Sequence, residues 1–185
     1  MTTLISIYGP PSCGKSTLST QLFYELRSRG INVEYSMEVV KQWCYDGRKI
    51  DKFGQYYLFG SESYNQSRFF GSADIVVSDS PVALTGYYNY HYSGCKDNSL
   101  SEACKGFYKK AEEDGIRIFN FFLPRTRPYN PLGRFQSEEQ SDAIAVELRE
   151  WLDKEGYSYI YLDCSDDKRI DIILQHLREE GVLNE

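Results

Sequence analysis

The sequence predicts a three-layer α/β fold, with a five-stranded parallel sheet covered by helices on both faces. Three observations predict it. Short apolar runs alternate with segments of helical periodicity along the chain. A glycine-rich string, Gly9-Pro10-Pro11-Ser12-Cys13-Gly14-Lys15-Ser16-Thr17, joins the first such run to the first such segment. The polar residues suited to chemistry recur just after the strand-like runs, where ligands bind in parallel sheets.

The elements follow in order. Leu4–Tyr8 is an apolar run and reads as the first strand. Ser16–Arg29 is helical, with Leu18, Leu22 and Leu26 on one stripe, and Gly30 closes it. Asn32–Tyr35 is a short second strand. Glu38–Tyr45 begins a helix, and Asp51–Phe70 is a longer one that ends at Gly71. Ile75–Ser78 is a buried third strand. A mixed, tyrosine-rich segment follows, and then a helix over Leu100–Asp114. Arg117–Leu123 is the fourth strand. Ser137–Glu155 is a helix that Gly156 ends. Tyr157–Leu162 is the fifth strand. Asp166–Glu180 is the last helix, its core face being Ile170, Ile173, Leu174 and Leu177. No linker or repeat interrupts the pattern, so residues 1–185 read as one domain.

The glycine-rich string has the form G-x-x-x-x-G-K-[ST], a P-loop, and its context agrees with its mechanism. Gly9 and Gly14 let the backbone around Pro11 curl so that the N–H groups of Ser12, Cys13, Gly14, Lys15, Ser16 and Thr17 face a phosphate chain. Lys15 supplies a cation to the β- and γ-phosphates, and the Ser16 hydroxyl completes the coordination of Mg2+. The following helix N-terminus adds partial positive charge. The expected ligands are ATP and Mg2+, on the P-loop NTPase fold of the nucleoside and nucleotide kinase type. Cys13 lies within this loop and reads first as a small loop-filling residue, with Lys15 and the helix N-terminus acting in the direction of a lowered thiol pKa.

Candidates for the chemistry come from the other strand ends. Asp79 ends the third strand, in a position suited to holding magnesium or to accepting an acceptor's proton. Ser80, not a glutamate, follows it, which favours transfer to a bound acceptor over transfer to water. Glu38 lies past the second strand and is a candidate general base for an acceptor hydroxyl; Glu34 is its neighbouring rival. Arg125, Arg127 and Arg134 cluster within ten residues on a Pro- and Gly-punctuated loop of about 124–137. Such a lid brings guanidinium groups to a transferring phosphoryl, whereas a solvated loop would pair them with Glu138 or Glu139. Arg48 and Arg68 are weaker candidates for an acceptor phosphate. Tyr87, Tyr88, Tyr90 and Tyr92, with Phe53, Tyr56 and Tyr57, are candidates to pack on a ring. His91, among the tyrosines, reads as structural.

Composition narrows the functions. Net charge is −6 at pH 7, which makes a nucleic-acid partner unlikely. No apolar stretch approaches the roughly 20 residues of a membrane span, and no signal peptide precedes the first strand. Five scattered cysteines without a C-x-x-C pair argue against zinc and a disulfide framework. A cytoplasmic protein is expected, with a homodimer possible.

Taken with Glu34-Tyr35-Ser36-Met37-Glu38, the Asp79 strand end, the arginine loop and Tyr88–Gly94, the chain resembles a known group. It is similar to the small P-loop kinases related to the ribosylnicotinamide-kinase domain of the NAD-synthesis regulator, a group common in phage genomes and including AAA-type ATP-binding kinases. Where that group's lid commonly reads D-G-x-R, this chain has Pro131-Leu132-Gly133-Arg134, so Arg134 alone carries over. The resemblance implies phosphoryl transfer from ATP to a small acceptor such as nicotinamide riboside, and a pyrimidine or a modified nucleoside or nucleotide is an equally open acceptor. The alternatives are a kinase acting on a nucleic-acid end or a modified DNA base, and a slow NTP-hydrolysing regulatory ATPase.

Overall fold

The computed structural model describes residues 1–51, 53–93 and 96–183. The chain runs β1 (Thr3–Tyr8), α1 (Lys15–Ser28), β2 (Val33–Ser36), α2 (Val40–Tyr45), α3 (Gly54–Ser67), β3 (Ile75–Ser78), α4 (Ala83–Tyr92), α5 (Ser99–Glu113), β4 (Arg117–Phe122), α6 (Glu138–Glu155), β5 (Ile160–Tyr161) and α7 (Asp166–Glu179). The strands form one five-stranded sheet in the order β2-β3-β1-β4-β5, parallel throughout. This is the three-layer P-loop NTPase fold that the sequence predicts.

Two apolar layers sandwich the sheet, and the strand period of two sorts residues between them. Leu4, Tyr8, Val76 and Phe122 face one layer, with Val82, Ala83 and Tyr87 of α4 and Ile144, Leu148 and Trp151 of α6. Ile5, Ile7, Ile75, Val77 and Phe121 face the other, with Leu18, Leu22 and Leu26 of α1 and Ile173, Leu174 and Leu177 of α7. Strand β1 lies at the centre. From it the chain passes to the edge strand β2, returns to β3 beside β1, and then crosses to β4 and β5 on the other side. The crevice beyond the carboxyl end of β1 is therefore the topological switch point, the usual ligand site of such sheets.

Three sequence expectations shift in the structure. The mixed segment after β3 holds a helix, α4, that the sequence did not reveal. It is buried on nearly every side, so it lacks the polar face that makes helical periodicity visible. Helix α3 is shorter than the expected Asp51–Phe70; Lys52 lies outside the described residues, as does Gly94 of the aromatic segment. Strand β5 has only two paired residues, Phe121↔Ile160 and Phe122↔Tyr161. Residues 157–159 are engaged elsewhere: Tyr157 stacks on Trp151, and the Tyr159 hydroxyl donates to Asp153. Helix α6 behaves as read. Ser137 and Gln140 form a reciprocal capping box at its start, and Gly156 (φ 83°) ends it.

The turn out of β1 is the tightest part of the fold. Gly9 has φ 145°, and a Cβ there would lie 2.4 Å from the Leu123 carbonyl oxygen and 2.7 Å from Cys13 Sγ. The P-loop thus begins pressed against the end of β4, where only glycine fits. We expect Gly9→Ala to destabilise the fold by more than about 1 kcal/mol, through both φ and the clash, measured by urea unfolding. A change within a few tenths of a kcal/mol would show that the loop does not need this approach.

Candidate active site

The loop after β1 has the curled backbone that phosphate binding requires. Gly9, Ser12 and Gly14 all have positive φ, a geometry that turns successive N–H groups to one side. Helix α1 begins directly at Lys15. The Lys15 ammonium folds back over its own loop and donates to Gly9 O (2.9 Å) and Pro10 O (3.2 Å). Cys13 corrects one expectation. Its thiol is fully buried against the sheet, and burial pushes its pKa up despite the nearby Lys15.

Beside the loop, the ends of β2 and β3 are tied by a carboxylate. Asp79 is only 2% exposed and accepts the Glu38 backbone N–H (3.1 Å). Burial, with the nearby Asp79 carboxyl adding, raises the Tyr35 phenol pKa. Glu38 lies in the turn before α2, not in the helix the sequence predicts. Its carboxylate is 4.0 Å from the Arg134 guanidinium. Burial raises the Glu38 pKa; Lys15 and Arg134 pull against this and Asp79 adds to it. Glu34 sits within β2, paired with Val76, and does not line the pocket.

A pocket joins Lys15, Glu38 and Arg134, whereas Asp79 lies behind its lining; the space counted out to its open mouth is roughly 720 Å³. Pro11 and Lys15 form its phosphate-loop side, and Glu38, Val40 and Lys41 one wall. Gln55, Leu58 and Glu62 of α3 form its floor with Ser80 and Leu84, while Thr85, Tyr88 and Tyr92 of α4 form a second wall. Gly133, Arg134, Phe135 and Gln136 close over it. Tyr88 and Tyr92 stack on each other with ring planes 10° apart.

The segment between β4 and α6 is tied to the phosphate loop. The Asn130 N–H donates to Ser12 Oγ (2.8 Å), and Ser141 Oγ donates to Pro11 O (2.8 Å). The three arginines of this segment have different partners. Arg134 lines the pocket. Arg125 is paired with Glu138 (2.8 Å) and with Asp142, and is therefore turned toward α6. Arg127 is paired with Asp166, yet its guanidinium lies beside Gly14, 3.9 Å from where a Cβ would stand. Buried Arg169 braces the same corner through Asp166, Pro124 O and Thr126 Oγ1.

Other candidates lie elsewhere. Arg48 packs over Trp43 and Arg68 over Phe69. Phe53, Tyr56 and Tyr57 are on the exposed side of α3. His91 pairs with Glu147 at 2.6 Å and stacks on Tyr87. The sequence reading passed over Gln55 and Glu62, although a signal was present. Both fall on the core-facing stripe of α3 with Leu58 and Gln66, and polar residues at core positions call for a partner. Among the described residues no helix is long and apolar enough to cross a membrane.

Residues 4–169 match the family model of an AAA domain. The chain belongs to this AAA-domain family. No curated protein sequence matches it. Among solved structures, a NadR protein in complex with NR aligns with the whole chain at TM-score 0.70 and 19% identity. This chain covers 51% of that protein, about half its length. The deoxyadenosine kinase from M. mycoides aligns over 96% of this chain and 99% of its own at TM-score 0.57 and 16% identity. The Mycobacterium tuberculosis APS kinase aligns over 96% and 97% at TM-score 0.54 and 14% identity. At these identities the likeness is one of fold, and the fold is that of the P-loop kinases.

Glu62 makes stability depend on pH. It is 1% exposed, and burial pushes its carboxyl from 4.5 up to about 8, with the Val39 amide and Ser80 pulling the other way. The native state holds this proton more tightly than the unfolded chain. The associated stability is complete below about pH 4.5 and is lost as pH rises through about 8. Unfolding at pH 5 and pH 8 is expected to show a larger loss for the wild type than for Glu62→Gln. The difference should be at least about 1.4 kcal/mol, the worth of one pKa unit. Parallel profiles would mean that Glu62 is ionised in the native state.

Proposed function

We propose that residues 1–185 act as one kinase unit that transfers the γ-phosphoryl of ATP to a hydroxyl of a small, nucleoside-like acceptor. One observation carries this reading: Lys15 of the phosphate loop and the Glu38 carboxylate open into the same pocket, whose remaining lining mixes apolar and aromatic residues (Leu58, Leu84, Tyr88) with polar ones (Gln55, Glu62, Thr85). A donor phosphate and an acceptor hydroxyl can meet there, largely shielded from water.

The residues take complementary parts. The phosphate loop surrounds the triphosphate, and Lys15 leaves the Gly9 and Pro10 carbonyls to bind its terminal phosphates. Glu38 accepts the proton of the acceptor hydroxyl as the new P–O bond forms. Arg134, facing both Glu38 and the pocket, stabilises negative charge on the transferring group. Arg127 lies near the loop, and Arg125 fixes the base of the lid on α6. Ser16 and Asp79 would hold magnesium, which would offset charge on the β- and γ-phosphates. Among the described residues no cluster of three or more His, Cys, Asp or Glu forms a metal cage. That fits magnesium, which takes one or two protein ligands and leaves the rest to phosphates and water.

Substitution tests these roles. Lys15→Ala is expected to abolish measurable transfer. Asp79→Asn should lower kcat far more than it weakens triphosphate binding. Glu38→Gln should cost about 10²–10⁴ in kcat, the usual worth of a general base, with ATP affinity little changed. Steady-state kinetics beside nucleotide-binding titrations separate these effects. A Glu38→Gln enzyme no slower than one carrying an exposed Glu112→Gln change would remove the base assignment.

A further inference from the structure

A chain of charges at the root of the segment between β4 and α6 has no part in the reaction as described so far. Arg169, on α7, is 2% exposed, and a buried cation must be paired and hydrogen-bonded. Its Nη1 meets the Asp166 carboxylate, and its Nη2 donates to Pro124 O (3.2 Å) and Thr126 Oγ1 (3.1 Å). The Thr126 hydroxyl donates in turn to Asp166 Oδ1 (2.9 Å). The other oxygen of Asp166, Oδ2, accepts from Nε of Arg127. Charge therefore alternates from Arg169 in the core, through Asp166, to Arg127 on the lid. The Arg127 guanidinium stands beside the phosphate loop, with Cζ and Nη1 each 3.9 Å from where a Cβ of Gly14 would lie. Asp166 takes only the inner nitrogen, so among the described residues the two terminal nitrogens keep their donors for a further acceptor. Lys15 and Arg169 both act on the Cys13 thiol within the same loop. Positive charge thus converges on the loop from α1, from α7 and from the lid, and an anion between these groups relieves their mutual repulsion.

We propose that Asp166 and Arg169 are positioning residues for the donor: they aim the outer edge of Arg127 at the phosphate chain of the triphosphate, from outside the pocket that Arg134 lines. This rests on the reading of the loop as the ATP site, and it adds α7 to the elements that hold the donor. A guanidinium suits the task because its planar fork fits two phosphate oxygens at once. On a loop segment, however, an arginine has many orientations to lose on binding. Tying Nε to a carboxylate that is itself tied to a buried cation removes that freedom before the donor arrives. Asp166 stays ionised in this role. Burial acts to raise its pKa, but its bonds with Arg127 and Thr126 and the charge of Arg169 bring it below the ordinary value.

Donor affinity tests this without any acceptor. AMP-PNP and inorganic tripolyphosphate, each with magnesium, would be titrated calorimetrically into the wild type and its variants. Arg127→Ala and Asp166→Ala are each expected to weaken both ligands at least about 5-fold. Because Asp166 acts through Arg127, the double variant should bind within about 2-fold of Arg127→Ala alone. Asp167→Ala removes the next carboxylate along α7, which is exposed and bonds Ser165 instead, and should stay within about 2-fold of the wild type. Arg169→Lys keeps the charge, loses the fork and should match Asp166→Ala; if this buried change does not fold, the Asp166 variants decide the matter. In transfer assays the losses should appear in KM for ATP, with kcat within about 3-fold of the wild type. Wild-type affinity in Asp166→Ala would overturn the proposal. So would losses that multiply in the double variant, a loss in kcat alone, or a loss confined to AMP-PNP, which would put Arg127 on the base or sugar. A wild type that binds neither ligand would remove the donor reading itself, and the proposal with it. Binding as expected, with no acceptor ever phosphorylated, would remove the kinase reading and leave the α7 assignment standing.

Discussion

At the end of β3, between Ser78 and Ser80, the Asp79 side chain is almost sealed from water. A buried carboxyl group must be hydrogen-bonded, and the chain supplies the Glu38 N–H from the turn after β2. That bond fixes where the β2–α2 turn lies relative to the sheet. The turn in turn places Glu38 opposite Lys15 and within 4.0 Å of Arg134. Glu62 reinforces the same turn from the α3 side through the Val39 N–H. Two neighbouring backbone amides are thus held by two buried carboxyl groups. The pocket's acidic wall is a consequence of how those amides are satisfied.

The opposite wall is built around the phosphate loop. Gly9 is locked against Leu123 O at the end of β4, and Asn130 of the lid donates to Ser12 within the loop. The segment between β4 and α6 therefore meets the phosphate loop through a backbone-to-hydroxyl contact, without drawing on its arginines. Arg125 and Arg127 are occupied by acidic residues of α6 and α7, which brace the two ends of the lid, and Arg134 is left to face the pocket. Acidic, cationic and aromatic surfaces consequently meet at one point beyond the sheet, although they come from distant parts of the sequence.

Much of this architecture was legible in the sequence because it is written in local signals. The apolar run Leu4–Tyr8 followed by Gly9–Thr17 marks both the strand and the loop, and the leucine stripe of α1 and the Ser137–Gly156 boundaries of α6 are similarly self-contained. Asp79 and Glu38 were visible as polar residues just past strand ends. What escaped notice depends on tertiary surroundings. Helix α4 is buried over most of its length, from Ala83 to Tyr87, so its sequence carries little amphipathic contrast. The partners of Arg125 and Arg127 are set by how α6 and α7 pack, which residue spacing does not encode. Glu62 was hidden for the opposite reason, since a glutamate within a helix reads as solvent-facing until its face is known. The aromatic residues of α3 misled in the same way: Tyr56 and Tyr57 point outward, and the pocket side belongs to Gln55, Leu58 and Glu62.

The measurement that tests the central claim most directly is transfer of label from γ-³²P-ATP. Purified protein, ATP and magnesium would be offered nucleosides, nucleoside monophosphates and short DNA separately, with the products resolved by chromatography. The account predicts label on the hydroxyl of one small nucleoside-like acceptor and none on DNA. Label released only as inorganic phosphate, at the same slow rate whatever acceptor is present, would contradict it.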